Sequence, residues 1–217
     1  MLVQPPQVRA DGALTLDYRF SLAHAPYLDD HRLDGAPVVP AAVAMELMAE
    51  FVQAAWPDWV VTEVRDLRVL NGLVLQDERD LEVRLLGYPA THADGESHQI
   101  EVEIQDPASA RARYRATLVL RLAASAPLAY QVAPLTAGRR VDAAAAYAQH
   151  CFHGPRFQRL TGEGLVAAQG VDWQLVPSVP TDWVAAGANA GWILDPGVVD
   201  ALLQTVILWS RLEQGTY

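Results

Sequence analysis

The chain has 217 residues, a hydrophobic content of 51% and a formal net charge of −10 at pH 7. Length and composition suffice for one large domain or two small ones with a packed core. The acidic balance argues against nucleic acid and anionic membrane as partners. The apolar runs at 41–56 and 198–209 contain acidic or amide side chains and are too short to span a bilayer.

Cysteine content and the start of the chain point to the same compartment. The single cysteine, Cys151, rules out an internal disulfide. The first residues contain no basic region followed by an apolar one, so no secretory signal is visible. We therefore expect a soluble protein of the reducing cytoplasm. We interpret Cys151 as a small buried hydrophobic residue and not as a nucleophile.

The first half of the chain predicts one strand, one buried helix and an antiparallel meander. Alternating apolar residues at 13–20 predict a strand, and 27–40 is a loop. Pro40 is expected at the first helical position of a helix that runs to Trp56. The polar side chains of this helix form one narrow stripe, so it must be buried on most of its circumference. The extended segments that follow are 60–70, 81–88, 98–105 and 111–122, and 89–97 is a turn.

The second half repeats this order. Residues 123–140 are rich in Pro and Gly and are predicted to link an N-terminal half, 1–122, to a C-terminal half, 141–217. The segments expected in the C-terminal half are a short helix at 141–150, extended chain at 160–175 and a loop at 177–190. A second apolar helix is predicted from Pro196 to about Leu212, with Asp195 as its N-cap.

Two positions carry the residue types of an acid–base site. His31 precedes the first helix, whose first-turn N–H groups lack partners, and this combination can bind a carbonyl oxygen and remove a nearby proton. Asp200 and Gln204 lie four residues apart on the second apolar helix. An anionic carboxylate is costly to desolvate there, so we expect Asp200 to stay protonated and to act as a general acid oriented by Gln204. His31 alone would be interpreted as structural, but the second site favours catalysis.

Three motifs in chain order carry a family resemblance. A His-x-x-x-Gly-x-x-x-x-Pro motif is matched by His31, Gly35 and Pro40, and an Asp-x-x-x-Gln/His motif by Asp200 and Gln204. A third motif, usually Tyr-Gly-Pro-x-Phe, is matched by Gly154, Pro155 and Phe157. His153 stands in place of its tyrosine, as in the branch that makes polyunsaturated fatty acid or enediyne precursors. The sequence thus resembles the dehydratase domain of polyketide and polyunsaturated fatty acid synthases.

The resemblance implies an α+β double hot-dog fold, in which two curved antiparallel sheets each wrap a long apolar helix. The second hot-dog is incomplete here, and we expect the polypeptide to continue beyond Tyr217. The implied reaction is dehydration of a β-hydroxyacyl thioester on an acyl carrier protein. His31 would be the base, Asp200 the acid and Gln204 its positioning partner. The Gly35 N–H, near the start of the first helix, would bind the thioester carbonyl.

The remaining motif residues, Pro40, His153, Gly154, Pro155 and Phe157, would line the substrate tunnel or hold structure. The resemblance implies no cofactor, because the substrate is carried on the phosphopantetheine arm of the carrier protein. It implies the carrier protein and neighbouring synthase domains as partners, and a homodimer is possible. No metal site is expected, since His150 and His153 with Cys151 between them lack a further ligand cluster.

Other functions remain open on the sequence alone. Another hot-dog activity on acyl thioesters, such as hydrolysis or double-bond isomerisation, could use the same pair. A non-catalytic domain that scaffolds a synthase or binds acyl chains is a third class, but it would need neither His31 nor Asp200. The arginines at 111, 113 and 115 are interpreted as a solvated strand face. A phosphate of the phosphopantetheine arm or an acidic carrier protein is a weaker alternative.

Overall fold

The computed structural model describes residues 1–2, 4–89, 97–122, 132–185, 191–213 and 215. Its strands are β1 (Gln7–Val8), β2 (Leu14–Phe20), β3 (Arg32–Leu33), β4 (Ala36–Pro37), β5 (Val60–Val69), β6 (Leu81–Pro89), β7 (Ser97–Gln105), β8 (Ala112–Arg121), β9 (Arg139–Asp142), β10 (Leu160–Ala167) and β11 (Gly170–Leu175). Its helices are α1 (Ala41–Ala55), α2 (Ala143–His150), α3 (Pro180–Trp183) and α4 (Pro196–Glu213). None of the helices in the described ranges is long and apolar enough to cross a membrane.

The first half is a six-stranded antiparallel sheet in the order β1-β2-β6-β7-β8-β5. Strands β2, β5, β6, β7 and β8 confirm the five predicted extended segments to within two residues. In β2, Leu14, Leu16 and Phe20 are buried while Asp17 is exposed, as the alternation requires. Helix α1 packs across β5, β6, β7 and β8 and covers the apolar face of the sheet. Most of the predicted turn at 89–97 lies outside the described residues.

Helix α1 is as deeply buried as its sequence predicts, but its start differs by one residue. Pro40 is the N-cap and not the first helical residue, because its ψ of 148° is extended. Its carbonyl accepts the first intrahelical bond, from the Ala44 N–H at 3.0 Å. The polar side chains of the stripe make structural hydrogen bonds. Gln53 bonds to the backbone of the segment that follows α1, and Glu46 accepts from the backbone of the segment that leads into α4.

The second half contains a three-stranded antiparallel sheet in the order β11-β10-β9, with α4 packed on β10 and β11. The N-cap prediction for α4 is confirmed, because Asp195 accepts from the N–H groups of Gly197 and Val198 at 2.9 and 3.1 Å. The predicted helix at 141–150 starts later, since Val141 and Asp142 lie in β9 and the Asp142 carboxylate caps α2. The predicted loop at 177–190 contains α3, and residues 186–190 lie outside the described part.

The two halves share the larger of two hydrophobic clusters, and the smaller cluster lies within the second half. Phe157 and Trp183 of the second half are fully buried in the cluster that contains Leu47 and Phe51 of α1. Helices α1 and α4 also contact each other directly. The predicted linker, 123–140, overlaps β9 at its last two residues, and 123–131 lie outside the described residues. The charged end of the predicted linker, Arg139 and Arg140, is therefore part of the second sheet.

Candidate active site

A two-residue turn positions His31 and explains the spacing of its motif. Strands β3 and β4 form a hairpin whose central residues, Asp34 and Gly35, have φ values of 50° and 82°. Two consecutive positive φ values match a tight hairpin turn, and an Asp-Gly pair tolerates them. The returning strand places Val38 opposite His31. The Val38 N–H donates to the His31 carbonyl at 2.9 Å, and His31 Nδ1 bonds to the Val38 carbonyl at 2.8 Å.

This backbone contact decides the tautomer of His31. Because a carbonyl can only accept, Nδ1 carries the proton and Nε2 keeps a lone pair. The side chain is buried, with 7% of the residue exposed. Burial lowers the pKa of His31, while the nearby Asp200 and the bond to Val38 oppose that shift. A neutral imidazole with a free Nε2 is the form that a general base requires.

Gly35 lies in the turn of the hairpin that precedes α1. It is exposed at the tip of the hairpin, and its carbonyl accepts from Arg32 at 2.7 Å. The role predicted for its N–H, binding of the thioester carbonyl, stays a prediction. At the N-terminus of α1, the N–H groups of the first turn are free, because Pro40 provides no side-chain cap.

A chain of hydrogen bonds orients Asp200 and Gln204. Gln204 Nε2 donates to Asp200 Oδ2 at 2.7 Å and to the Phe157 carbonyl at 3.1 Å. Gln204 Oε1 accepts from the Tyr147 hydroxyl at 3.0 Å, and that hydroxyl accepts from the Leu160 N–H at 3.0 Å. Burial raises the pKa of Tyr147, so its hydroxyl stays a donor. The amide is held in one orientation, with its N–H pointing at the carboxyl group.

Asp200 also faces His153. The distance from His153 Nε2 to Asp200 Oδ2 is 3.2 Å, and both residues are buried. The His153 ring stacks on Phe152 with centroids 4.0 Å apart and lies 5.3 Å from the ring of His31. Its Nδ1 is buried without a hydrogen-bond partner among the described residues. One ligand-type atom from each of His31, His153 and Asp200 lies within 4.8 Å of the others.

The turn that follows His153 docks on the residue before His31. The Gly154 N–H donates to the Asp30 carbonyl at 2.7 Å, and Arg156 Nη1 pairs with Asp30 Oδ2 at 2.8 Å. A Cβ on Gly154 would overlap the Asp30 side chain, so the glycine is needed for close approach. Pro155 opens the short 3₁₀ turn that ends at the buried Phe157. This docking carries His153 toward His31 from a different half of the chain.

Sequence analysis missed Asp30, Tyr147 and Arg156, which hold the site in place. Asp30 had one available signal, since it lies directly before His31 in the motif. Tyr147 is the one large side chain in the alanine-rich α2. Arg156 stands at the variable position of the third motif, where a pattern search assigns no residue type. None of the three has a local sequence pattern that predicts its partner.

Two other predictions can now be placed. Arg113 pairs with Asp106 at 3.1 Å, and Arg115 bonds to Glu103 at 2.7 Å, so these arginines are matched by acidic groups of their own sheet region. This supports the solvated-face interpretation over a phosphate site.

Cys151 is half-buried at the end of α2, less buried than predicted. Burial raises the pKa of its thiol to about 11, which leaves it protonated and poorly nucleophilic near neutral pH.

Comparison with known proteins gives a family match over the first half of the chain. Residues 2–107 match the model of the polyketide synthase dehydratase domain. A curated relative of this dehydratase-like chain is a polyunsaturated fatty acid synthase component from Thraustochytrium sp. (strain ATCC 26185 / S-3), 24% identical over 213 residues. That alignment covers 93% of this chain and 7% of the relative, so the chain spans a small part of that protein.

Solved dehydratase domains show the same fold over nearly the whole chain. A GphF dehydratase variant has a TM-score of 0.70 at 20% identity, covering 97% of this chain and 74% of that one. The dehydratase domain of a mycocerosic acid synthase-like polyketide synthase gives 0.64 at 23%, covering 96% and 72%. The domain from the CurF module of curacin polyketide synthase gives 0.65 at 14%, covering 89% and 70%. The α+β hot-dog fold and the dehydratase resemblance are therefore confirmed.

Proposed function

We propose that this chain removes water from a β-hydroxyacyl thioester and yields the α,β-unsaturated acyl product. The acyl group would be carried on the phosphopantetheine arm of an acyl carrier protein, and no cofactor would be needed. The family match supports the reaction class. A single geometric observation supports it most directly: a neutral imidazole from one half lies beside a buried carboxyl group from the other.

In the first step of the proposed reaction, His31 acts as the base. His31 Nε2 takes the proton from the carbon next to the thioester carbonyl, while Nδ1 stays bonded to Val38. Negative charge then develops on the thioester oxygen. The first-turn N–H groups of α1 provide donors for that oxygen, since they have no side-chain cap and lie at the positive end of the helix dipole. The sequence prediction gave this role to the Gly35 N–H.

In the second step, Asp200 acts as the acid. As the bond between the β-carbon and its oxygen breaks, the departing hydroxyl takes a proton from Asp200 and leaves as water. Asp200 Oδ2 already accepts from Gln204 and faces His153, which leaves Oδ1 to carry the transferred proton. Transfer of a proton from His31 to Asp200 then restores both groups. Proton transfer by each positioned group contributes roughly 10²–10⁴-fold to the rate.

The proposal includes the setting of the reaction. We infer that the chain works next to an acyl carrier protein and other synthase domains, because its curated relative is part of a fatty acid synthase. We also infer a cytoplasmic location, which agrees with the single reduced cysteine. The roles of Pro40, His153, Pro155 and Phe157 in the substrate tunnel remain part of this proposal.

Mass spectrometry of a β-hydroxyacyl carrier protein, or of a pantetheine thioester mimic, tests the reaction. Incubation with the chain should lower the acyl mass by one water molecule. An Asp200→Asn variant should keep the fold, since Asn can still bond to Gln204, and should lose water elimination. Release of free acid would indicate a thioesterase, and double-bond migration without mass loss would indicate an isomerase. No change of any kind in the folded wild-type chain would contradict catalysis.

A further inference from the structure

The cluster of His31, His153 and Asp200 has the composition of a metal centre. Each residue comes from a different element: the base of the β3–β4 hairpin, the turn after α2, and α4. Their exposed fractions are 7%, 6% and 5%, so all three side chains are buried. One ligand-type atom of each lies within 4.8 Å of the other two. Two imidazoles and one carboxylate are a common ligand set for zinc and other divalent transition metals.

We propose that these three side chains bind a divalent transition metal ion of the zinc class, and that the bound ion blocks the acyl site. Metal–nitrogen and metal–oxygen bonds of about 2.0–2.2 Å require the ligand atoms to approach to roughly 3–3.5 Å. The His153–Asp200 pair already meets this requirement at 3.2 Å. Small side-chain rotations of His31 complete it, and three protein ligands leave one coordination position open.

The surrounding hydrogen bonds prepare these side chains for a metal. His31 Nδ1 donates to the Val38 carbonyl, which fixes the tautomer that directs the Nε2 lone pair into the cluster. Gln204 donates to Asp200 and holds its carboxyl group in place. Partners of this kind orient metal ligands in known sites, and losing one costs about 10–100-fold in affinity. The bonds that prepare the acid–base pair therefore also prepare a chelating site.

His153 supplies the independent sign that the site can accept a ligand. Its Nδ1 is buried with no partner in the described part of the chain, so the protein does not complete the bonding of the ring. A buried nitrogen without a partner is costly, and neither ring nitrogen is committed to the backbone. With the ring proton on Nδ1, the Nε2 atom that faces Asp200 at 3.2 Å keeps its lone pair for an ion. His153 also lines a pocket of about 270 Å³ with Cys151, Phe152 and Arg211, so the cluster borders a pocket on the His153 side.

An ion in this position takes over the groups that the proposed reaction uses. It occupies the Nε2 lone pair of His31, so that atom cannot accept the substrate proton. It also binds Asp200 as a carboxylate, so that group cannot donate one. The blocking of catalysis rests on the proposed function, whereas the binding of the ion does not. A tyrosine at position 153, the usual residue of the third motif, would remove one of the three ligands.

Metal binding is tested without any substrate. Chelator-treated protein is dialysed against Zn²⁺, and Co²⁺ is used as a visible-absorbing substitute, with wild type compared with His153→Tyr. We expect one ion per wild-type chain, cobalt bands typical of nitrogen and oxygen ligands, and binding at least about 10-fold weaker in the variant. The control, His24→Ala, removes an exposed histidine outside the cluster and should leave binding unchanged. Equal affinity in wild type and His153→Tyr would overturn the site.

Inhibition is measured separately on the thioester. Zn²⁺ should slow water loss by wild type, and a chelator should restore the rate. Full turnover with one ion bound would overturn the blocking role while leaving the metal site in place. Ion binding by a chain that never dehydrates any thioester would contradict the proposed function and not the metal site. Circular dichroism of each variant confirms that the fold is intact.

Discussion

At the scale of single residues, the two imidazoles of the site differ in how their nitrogens are bonded. His31 has one nitrogen committed to a backbone carbonyl and one free, whereas His153 has one nitrogen near Asp200 and one without a partner in the described part of the chain. A fixed tautomer suits His31 to accept a proton in one direction. His153 has no such constraint, so its contribution depends on what enters the site.

Replacing His31 with alanine should abolish water loss and leave the fold intact. The proposed base is lost, which should lower the rate roughly 10²–10⁴-fold. The buried ring contacts Phe152, His153 and Phe157, so its removal should cost some stability without unfolding the chain. Turnover is measured with the thioester assay, and folding by thermal melt. Near wild-type turnover in a folded variant would rule out His31 as the base.

Activity should depend on pH through the lowered pKa of His31. Burial holds that pKa below the ordinary value of about 6.5, so the base is neutral at pH 7. The acid limb of kcat/KM should therefore lie below pH 6.5. The free energy of unfolding should also fall as the pH falls. Between the folded and unfolded pKa values of His31, the unfolded chain binds more protons than the folded chain does. Absence of this acid limb in a pH profile of a stable chain would contradict the assignment.

At the scale of elements, two contacts fix the position of the second half against the first. Glu46 of α1 accepts from the N–H groups of Ile193 and Leu194, at 3.0 and 2.6 Å, just before α4 begins. Burial raises the pKa of Glu46 to about 8 even though both N–H bonds favour the anion. The second contact is the docking of Gly154 and Arg156 on Asp30. One contact sets the start of the helix that carries Asp200, and the other sets the loop that carries His153.

A Gly154→Ala substitution tests the second contact. The added methyl group overlaps Asp30, so the turn must move away from the hairpin. We expect a loss of about 1–3 kcal/mol in the free energy of unfolding and a fall in turnover, because strained small-to-large changes cost this much in packed sites. Urea unfolding and the thioester assay provide both measurements.

Gly72→Ala is the matched control for that experiment. The nearest atom to a Cβ at Gly72 is a Val74 methyl group at 4.0 Å, so the methyl fits without displacement. This variant should unfold and turn over as wild type does. If Gly154→Ala behaves like Gly72→Ala, the close approach of the two halves at Asp30 does not support the site.

At the scale of the whole molecule, the two halves are unequal. The first sheet has six strands around α1, whereas the described part of the second sheet has three. Within the described part of the chain, one face of α4 is exposed, and its apolar side chains are exposed by 52%, 47%, 61% and 38% at Leu202, Leu203, Val206 and Ile207. Contiguous apolar side chains on a surface favour association. This chain should therefore be prone to self-association through α4.

A double variant, Leu203→Lys with Val206→Lys, should reduce that association. Both side chains are about half or more exposed, so the change should alter stability by no more than about 0.5 kcal/mol each. Light scattering during size-exclusion chromatography at several concentrations measures the mass. Val69→Lys, at 54% exposure on β5, is a control that should leave the mass unchanged. Wild type that stays monomeric at every concentration would contradict the prediction.

Local patterns alone determined most elements of the secondary structure. The two-residue period of β2 and the valine-rich β5 each depend on neighbours along the chain, and the burial of α1 follows from its own residues. The N-cap at Asp195 and the proline after it placed the start of α4 for the same reason. The predicted helix starts at Pro40 and at Val141 were early, because Pro40 and Asp142 have extended ψ angles of 148° and 138° and act as N-caps.

The catalytic candidates were also accessible from sequence, because motif spacing reflects local geometry such as the turn at Gly35. What only the tertiary structure decided was which groups meet. His153 reaches Asp200, and Asp30 reaches Arg156, across long stretches of chain. Such contacts depend on how the two halves pack, and no periodicity or spacing within one segment encodes them. The same reason explains why a site composed of His31, His153 and Asp200 was absent from the sequence prediction.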